Sequence, residues 1–242
     1  MTGDNRFVFV APMYNASSTL ARMLHSLYGQ SYDNWRLILI DDVSQSAEET
    51  KCVEIINRFR GFSSERIVDV WNKEKKWEVA NVLHGISMCD DNDIVCRIDA
   101  DDWLTDLDAL AYLNALYNQT QADALWTAHR WAFTDKNISG PMPADADPYK
   151  HPWVSSHLKT FRKRLINDVK DENFRGEDGG YVRRAGDQCV YLPVLHQAKK
   201  RGFVPRVFYH YTIKDVPETY QTDDARFQRD EALFLRSRGY VA

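Results

Sequence analysis

No glycine-rich phosphate loop follows the first strand-like run. Pro12-Met13-Tyr14-Asn15 stands where a G-x-G-x-x-G or G-x-x-x-x-G-K-[ST] segment would be needed. Neither a Rossmann fingerprint nor a P-loop is present, so phosphate has to be held another way. Cysteine is scarce: Cys52, Cys89, Cys96 and Cys189 form no C-x-x-C pair, and no histidine cluster stands beside them. That pattern reads as free thiols, buried in the case of Cys96, in a reducing, cytosolic setting. Apolar runs fall far short of the ~18 residues of a membrane span. The polar start Met1-Thr2-Gly3-Asp4-Asn5 is no signal peptide, so any membrane contact is expected to be peripheral. Basic excess is lacking too. The net charge of −4 gives no ground for a nucleic-acid or anionic-membrane partner. Internal repeats, low-complexity tracts and clear linkers are also missing.

What is present is an alternation of buried strands and helices. Phe7-Val8-Phe9-Val10 is a short β-forming run stopped by Pro12, and a helix to about Tyr28 follows it. Arg36–Ile40 is a second strand. Ser46-Ala47-Glu48-Glu49 has capping-box spacing and opens a helix to about Phe59. Arg66–Trp71 is a third strand, residues 79–87 a third helix, and Ile94-Val95-Cys96 a fourth strand. This predicts an α/β fold with a mostly parallel sheet flanked by helices. One compact domain over residues 1–242 is the economical reading, with a nucleotide half (1–102) and an acceptor half (103–242).

In such sheets ligands bind at the carboxyl ends of the strands. Pro12–Asn15, Asp41-Asp42 and Asp99-Ala100-Asp101 each follow a strand and should share one edge. The densest group is Arg97-Ile98-Asp99-Ala100-Asp101-Asp102-Trp103. Unpaired buried carboxylates are costly, and a divalent cation answers that cost. Asp99 and Asp101, two apart on an extended segment, would point the same way. Oxygen ligands suit Mg²⁺ or Mn²⁺, and the stretch reads as a metal site for a diphosphate. The alternative is an Asp-rich turn capping the next helix.

In the second half, Thr105–Asp108 should cap a helix to about Asn118, and Ala124–Trp131 reads as a strand. Residues 136–152 read as a loop facing an acceptor. His157–Arg164 is basic and partly apolar, and from its composition reads as a solvated helix start. A helix from about Gln188 to Lys200 has Asp187 at its mouth. Val204–Thr212 reads as the last strand, and Asp223–Arg238 as an amphipathic helix closed by Gly239.

In order and spacing these segments resemble the family 2 glycosyltransferases of the GT-A fold. The matching residues are Val10–Asn15, Leu39–Ser44, Ala80-Asn81, the DxD-type Ile98–Trp103, His157–Arg162 and Asp187-Gln188. The resemblance implies a nucleotide-sugar donor, most simply UDP-linked, and a carbohydrate or other hydroxyl acceptor. It implies donor contacts from Pro12, Tyr14, Asn15, Asp41, Asp42, Asn81, Asp99 and Ala100, with Tyr14 on the nucleobase and Asp41 on the base or ribose, helix capping and turn formation being the alternative for Asp41 and Asp42. Asp99 and Asp101 would hold the diphosphate directly or through Mn²⁺ or Mg²⁺, with His210 as a third ligand and a structural histidine as the alternative. Asp102 is read as starting the next helix, a further metal ligand being the alternative. Trp103 and His157 would face the acceptor, with a surface or capping role the alternative for His157. Asp187 aligns with the catalytic base of inverting members, an N-cap being the alternative. The family usually shows an acidic residue just before this Asp, where this chain has Gly186. Lys75-Lys76 would reach phosphate or form a solvated charged face. Two rival functions fit the same acidic edge: a sugar-nucleotide nucleotidyltransferase, which usually carries the glycine-rich loop missing here, and a binding module without turnover.

Overall fold

Strand β1 (Phe7–Met13) sits inside the sheet and is buried on both faces along all but Pro12. Phe7, Phe9, Ala11 and Met13 point to one apolar cluster, Val8 and Val10 to another, the period of two expected of a strand. This computed structural model describes residues 4–213 and 220–242; the very first residues of the polar N-terminal stretch lie outside them. β1 pairs in parallel with β2 (Trp35–Asp41) and with β4 (Ile94–Arg97), and β3 (Ile67–Trp71) runs parallel outside β2. Helices α1 (Leu20–Tyr28), α2 (Ser46–Arg60) and α4 (Ala109–Thr120) cover the Phe7 face. The Val8 face is covered by α3 (Trp77–Ser87), α5 (Gly186–Gln197) and α6 (Asp223–Arg238).

Beyond β4 the sheet changes character. The remaining strands are β5 (Trp103–Leu104), β6 (Ala124–Trp131), β7 (Lys159–Arg162) and β8 (Arg201–Tyr211). The full order is β3-β2-β1-β4-β7-β6-β8-β5. β7 runs antiparallel between β4 and β6, β8 is parallel to β6, and β5 is antiparallel on β8. The domain is thus α/β with a mixed sheet, all-parallel over β3-β2-β1-β4 and mixed beyond it. The segment expected as a solvated helix start is instead a central strand. Lys159, Thr160 and Phe161 are all buried, and the cost of burying Lys159 is met by an ion pair described below.

Two expected caps are replaced by longer-range contacts. At α2 no capping box forms. Gln45 holds the cap position without a side-chain bond, and the Glu48 carboxylate accepts from the Ser17 backbone N–H at 3.3 Å. At α4, Asp108 takes no capping bond and accepts instead from Ser31 Oγ at 2.6 Å. The α6 cap is local: Thr222 Oγ1 accepts from the Ala225 N–H at 3.1 Å. All four cysteines are free and buried. Among the described residues no helix is long and apolar enough to cross a membrane.

Candidate active site

The parallel register sets Met13 opposite Asp41, while β4 ends at Arg97. The turns after β1, β2 and β4 therefore leave the sheet on one edge, and an open cleft of about 250 Å³ lies there. Pro12, Tyr14, Asp42, Asn81 and Asp99, five of the residues expected to contact a donor, line it. So do Lys75 and Arg97, and with them Trp77, Glu78, Arg183 and Arg184, which the sequence had not singled out. Asn15, Asp41 and Ala100 are not part of the lining.

Behind the cleft the chain is held by its own polar groups. Asp41 is buried; its Oδ2 accepts from the Ser44 N–H at 2.8 Å, and its Oδ1 accepts from Ser44 Oγ. The Asn15 N–H donates to the same Ser44 Oγ at 2.7 Å, and Asn15 Oδ1 accepts from Gln45 N at 2.9 Å. Asp42 caps α3 from a distance, accepting from Lys76 N at 2.7 Å and Trp77 N at 3.0 Å. Burial opposes its charge, yet these N–H groups and the amides of Asn81 and Asn72 outweigh it and lower its pKa. Lys75 Nζ lies 3.6 Å over the Tyr14 ring, so this exposed lysine forms part of the cleft wall. Arg184 stacks over Trp77 at 4.8 Å. The loop carrying both arginines is anchored by Glu231 of α6, whose carboxylate accepts from the backbone N–H groups of Arg183, Arg184 and Ala185 at 2.7–3.0 Å.

The acidic stretch is not extended. The Asp102 N–H closes a turn onto Asp99 O at 3.1 Å, which turns Asp101 outward into solvent and Asp102 inward. Asp99 and Asp101 therefore do not sit two apart on one extended strand. Asp99, Asp102 and His157 have ligand atoms within 4.8 Å of one another, and among the described residues neither Asp101 nor His210 joins that group. Asp102 does not start a helix. It is buried and accepts from Tyr209 Oη at 2.7 Å and Thr212 N at 2.8 Å. Burial, then the charges of Asp99 and Asp101, push its carboxyl up to about 8. An acid so raised is a group short of positive charge. His210 lies on β8 one residue from Tyr209, so its ring points to the other face. There it stacks on Trp103 with centroids 3.7 Å apart, and Arg22 covers the same indole at 4.6 Å.

Beneath the cleft lies a buried charged group. Asp187 sits in the first turn of α5. Its Oδ1 is 2.8 Å from Lys159 Nζ and its Oδ2 is 3.5 Å from His157 Nε2. Burial opposes the Asp187 charge, but Lys159, His157 and Arg97 outweigh it and hold the carboxyl well below the usual range. His157, only 1% exposed, is no surface or capping residue. It is stacked on Tyr209 at 4.8 Å, and burial followed by the Lys159 charge pulls its pKa well below normal. Arg97 joins the levels: its Nη2 is 2.9 Å from Glu78 Oε1 and 2.7 Å from Asp99 Oδ1. For Glu78, burial outweighs Arg97, and the charges of Asp187 and Asp99 add to it, so its carboxyl rises to about 7.

Residues 8–181 match the glycosyl transferase family 2 pattern. The chain belongs to that family. The match ends before Asp187 and α5. Two sequence relatives are 36% identical: EpsE of Bacillus subtilis (strain 168) over 102 residues and the amylovoran biosynthesis glycosyltransferase AmsB of Erwinia amylovora over 99. Those stretches cover 42% and 41% of this chain. The matches span about a third of each relative's own length, 35% and 32%. Among solved structures, S. aureus TarS in complex with UDP-GlcNAc aligns with a TM-score of 0.68 at 14% identity, covering 90% of this chain and 61% of that one. The mannosyltransferase PcManGT from Pyrobaculum calidifontis, in complex with GDP-Man and Mn²⁺, aligns at 0.66 and 15%, covering 100% and 66%. At such identities the likeness shows a shared GT-A fold.

Proposed function

We propose that the protein transfers a sugar from a nucleoside diphosphate donor, UDP-linked, to a hydroxyl of a carbohydrate or similar acceptor, with inversion at the anomeric carbon. The observation that carries this reading is the cleft at the strand ends, where Asp99 meets the cationic side chains Lys75, Arg97, Arg183 and Arg184. A diphosphate needs positive charge around it, and an acidic group beside it needs a cation between them. Tyr14 offers its ring to the nucleobase, Asn81 and Asp42 lie along the same wall, and Asp41 and Asn15 fix the turn behind it. The likeness to structures holding UDP-GlcNAc or GDP-Man with Mn²⁺ supports the donor class.

The residues fit a divalent ion. Two carboxylates and an imidazole converge in Asp99, Asp102 and His157, and the raised Asp102 carboxyl is chemistry that a cation would relieve. The two carboxylates suit a hard ion such as Mn²⁺ or Mg²⁺. Such an ion would supply Lewis-acid stabilisation of the leaving diphosphate. The side chains do the rest. The rim cations Lys75, Arg183 and Arg184 hold the phosphates, and Trp103 backed by His210 offers an aromatic surface to the acceptor. Asp187, kept ionised by Lys159, takes the acceptor hydroxyl proton as that oxygen attacks. His157 serves as partner to Asp187 and the ion site instead of as acceptor surface.

The test is a thermal-shift screen of nucleotides and nucleotide sugars with and without Mn²⁺, followed by nucleotide release from the donors that bind. Selective stabilisation by UDP compounds with Mn²⁺ is expected. Silence across UDP-, GDP- and dTDP-sugars would defeat the reading. Pyrophosphate release from a nucleoside triphosphate and a sugar phosphate would replace it with the nucleotidyltransferase.

A further inference from the structure

The first turn of α5 contains a glycine that its backbone does not require, since the φ of Gly186 lies outside the left-handed region. Space requires it instead. A Cβ built at Gly186 would fall 2.4–2.6 Å from the three carboxyl atoms of Glu78, well inside contact distance. Glu78 reaches this spot from the first turn of α3, and its carboxylate fills the volume that a side chain at 186 would take. Once there, it shares one guanidinium nitrogen with Asp99: Arg97 Nη2 bonds Glu78 at 2.9 Å and Asp99 at 2.7 Å. Arg97 cannot follow either partner, because its Nη1 is tied to the Ile98 carbonyl at 2.6 Å.

Two acids on one fixed cation divide its charge. With Glu78 removed, the whole Arg97 charge would fall on Asp99, and Asp99 would hold a cation less well. We propose that Glu78 is a positioning residue of the transfer site, admitted by the missing side chain at Gly186, and that it offsets Arg97 so that Asp99 stays available to the donor diphosphate and its counter-ion. This rests on the transferase reading above.

The prediction is specific because the Glu78 carboxyl is the far end of a flexible side chain. Gly186→Ala should push it aside without unfolding α5, and alanine is the better helix former. Glu78→Ala, Gly186→Ala and the double variant are compared by calorimetric UDP binding with and without Mn²⁺, by donor KM and kcat, and by Tm. Each single variant should weaken Mn²⁺-dependent UDP binding and raise donor KM about tenfold, with kcat within a few-fold and, for Gly186→Ala, an unchanged or higher Tm. The double variant should be no worse than Glu78→Ala alone, because the displaced group is already gone. Wild-type UDP affinity in either single variant, or additive losses in the double, overturns the inference. If Gly186→Ala lowers Tm, the near-isosteric Glu78→Gln decides alone by the same binding measurement. A wild type that binds no UDP with Mn²⁺ and uses no donor defeats the transferase reading itself, an outcome distinct from variants that merely match an active wild type.

Discussion

Lys159 Nζ lies 2.8 Å from Asp187 Oδ1, joining a buried central strand to the first turn of α5. The pair fixes both the charge and the place of the carboxylate assigned as base. Lys159 is 2% exposed on its side chain and Asp187 26%, so solvent relieves only part of the Asp187 charge left behind when Lys159 is removed.

Lys159→Met should therefore destabilise the protein by about 3 kcal/mol, the lower end for breaking a buried pair because Asp187 keeps some solvent contact. Urea unfolding measures it. The sign with pH follows from the depressed Asp187 pKa. Its stabilisation is complete above the unfolded carboxylate pKa of about 4 and is lost as pH falls toward the folded value. Acid titration of stability should show this loss in the wild type and a smaller one in Lys159→Met. Equal acid limbs would remove the pair from the account.

Asp187→Asn should keep donor binding and lose transfer by about 10²–10⁴-fold, the usual contribution of a positioned base. Steady-state kcat beside calorimetric UDP affinity separates the two effects. Unchanged turnover would remove Asp187 as base.

The turn at 99–102 gives contrasting expectations for adjacent acids. Asp101→Asn should leave the Mn²⁺ dependence of UDP binding within a few-fold of wild type, because Asp101 faces solvent. Asp99→Asn should weaken it more than about tenfold, since Asp99 is a member of the converging ligand group. Chelation with EDTA should abolish transfer and Mn²⁺ should restore it. A loss in Asp101→Asn as large as that in Asp99→Asn would return the ion to the spacing-two pair.

Asp42→Ala should cost about 1–2 kcal/mol, as the loss of a helix cap does. Two backbone N–H groups at the start of α3 lose their acceptor. Because the Asp42 pKa is lowered, its contribution is present above about pH 4 and fades as pH falls through the folded value. Thermal melts at pH 7 and pH 3 should differ less for the variant than for the wild type.

The sequence by itself determined the first half of the sheet, because β1, β2 and β4 are apolar on both faces and only a strand buried on both faces satisfies Phe7–Val10 or Ile94–Cys96. It also determined that the polar turns after these strands share an edge, since parallel strands all end on one side. Tertiary structure decided the rest. β7 is short, and its Lys159 is buried only because Asp187, 28 residues later, supplies the counter-charge; no local pattern can announce such a partner. Asp99 and Asp101 were visible as acids, but a turn closed by one backbone hydrogen bond exchanged Asp101 for Asp102. Glu78, Arg183 and Arg184 carried no motif at all. They reach the cleft because α3 and the loop before α5 pack over it, and contacts between distant segments are set by packing and charge, which sequence spacing does not encode.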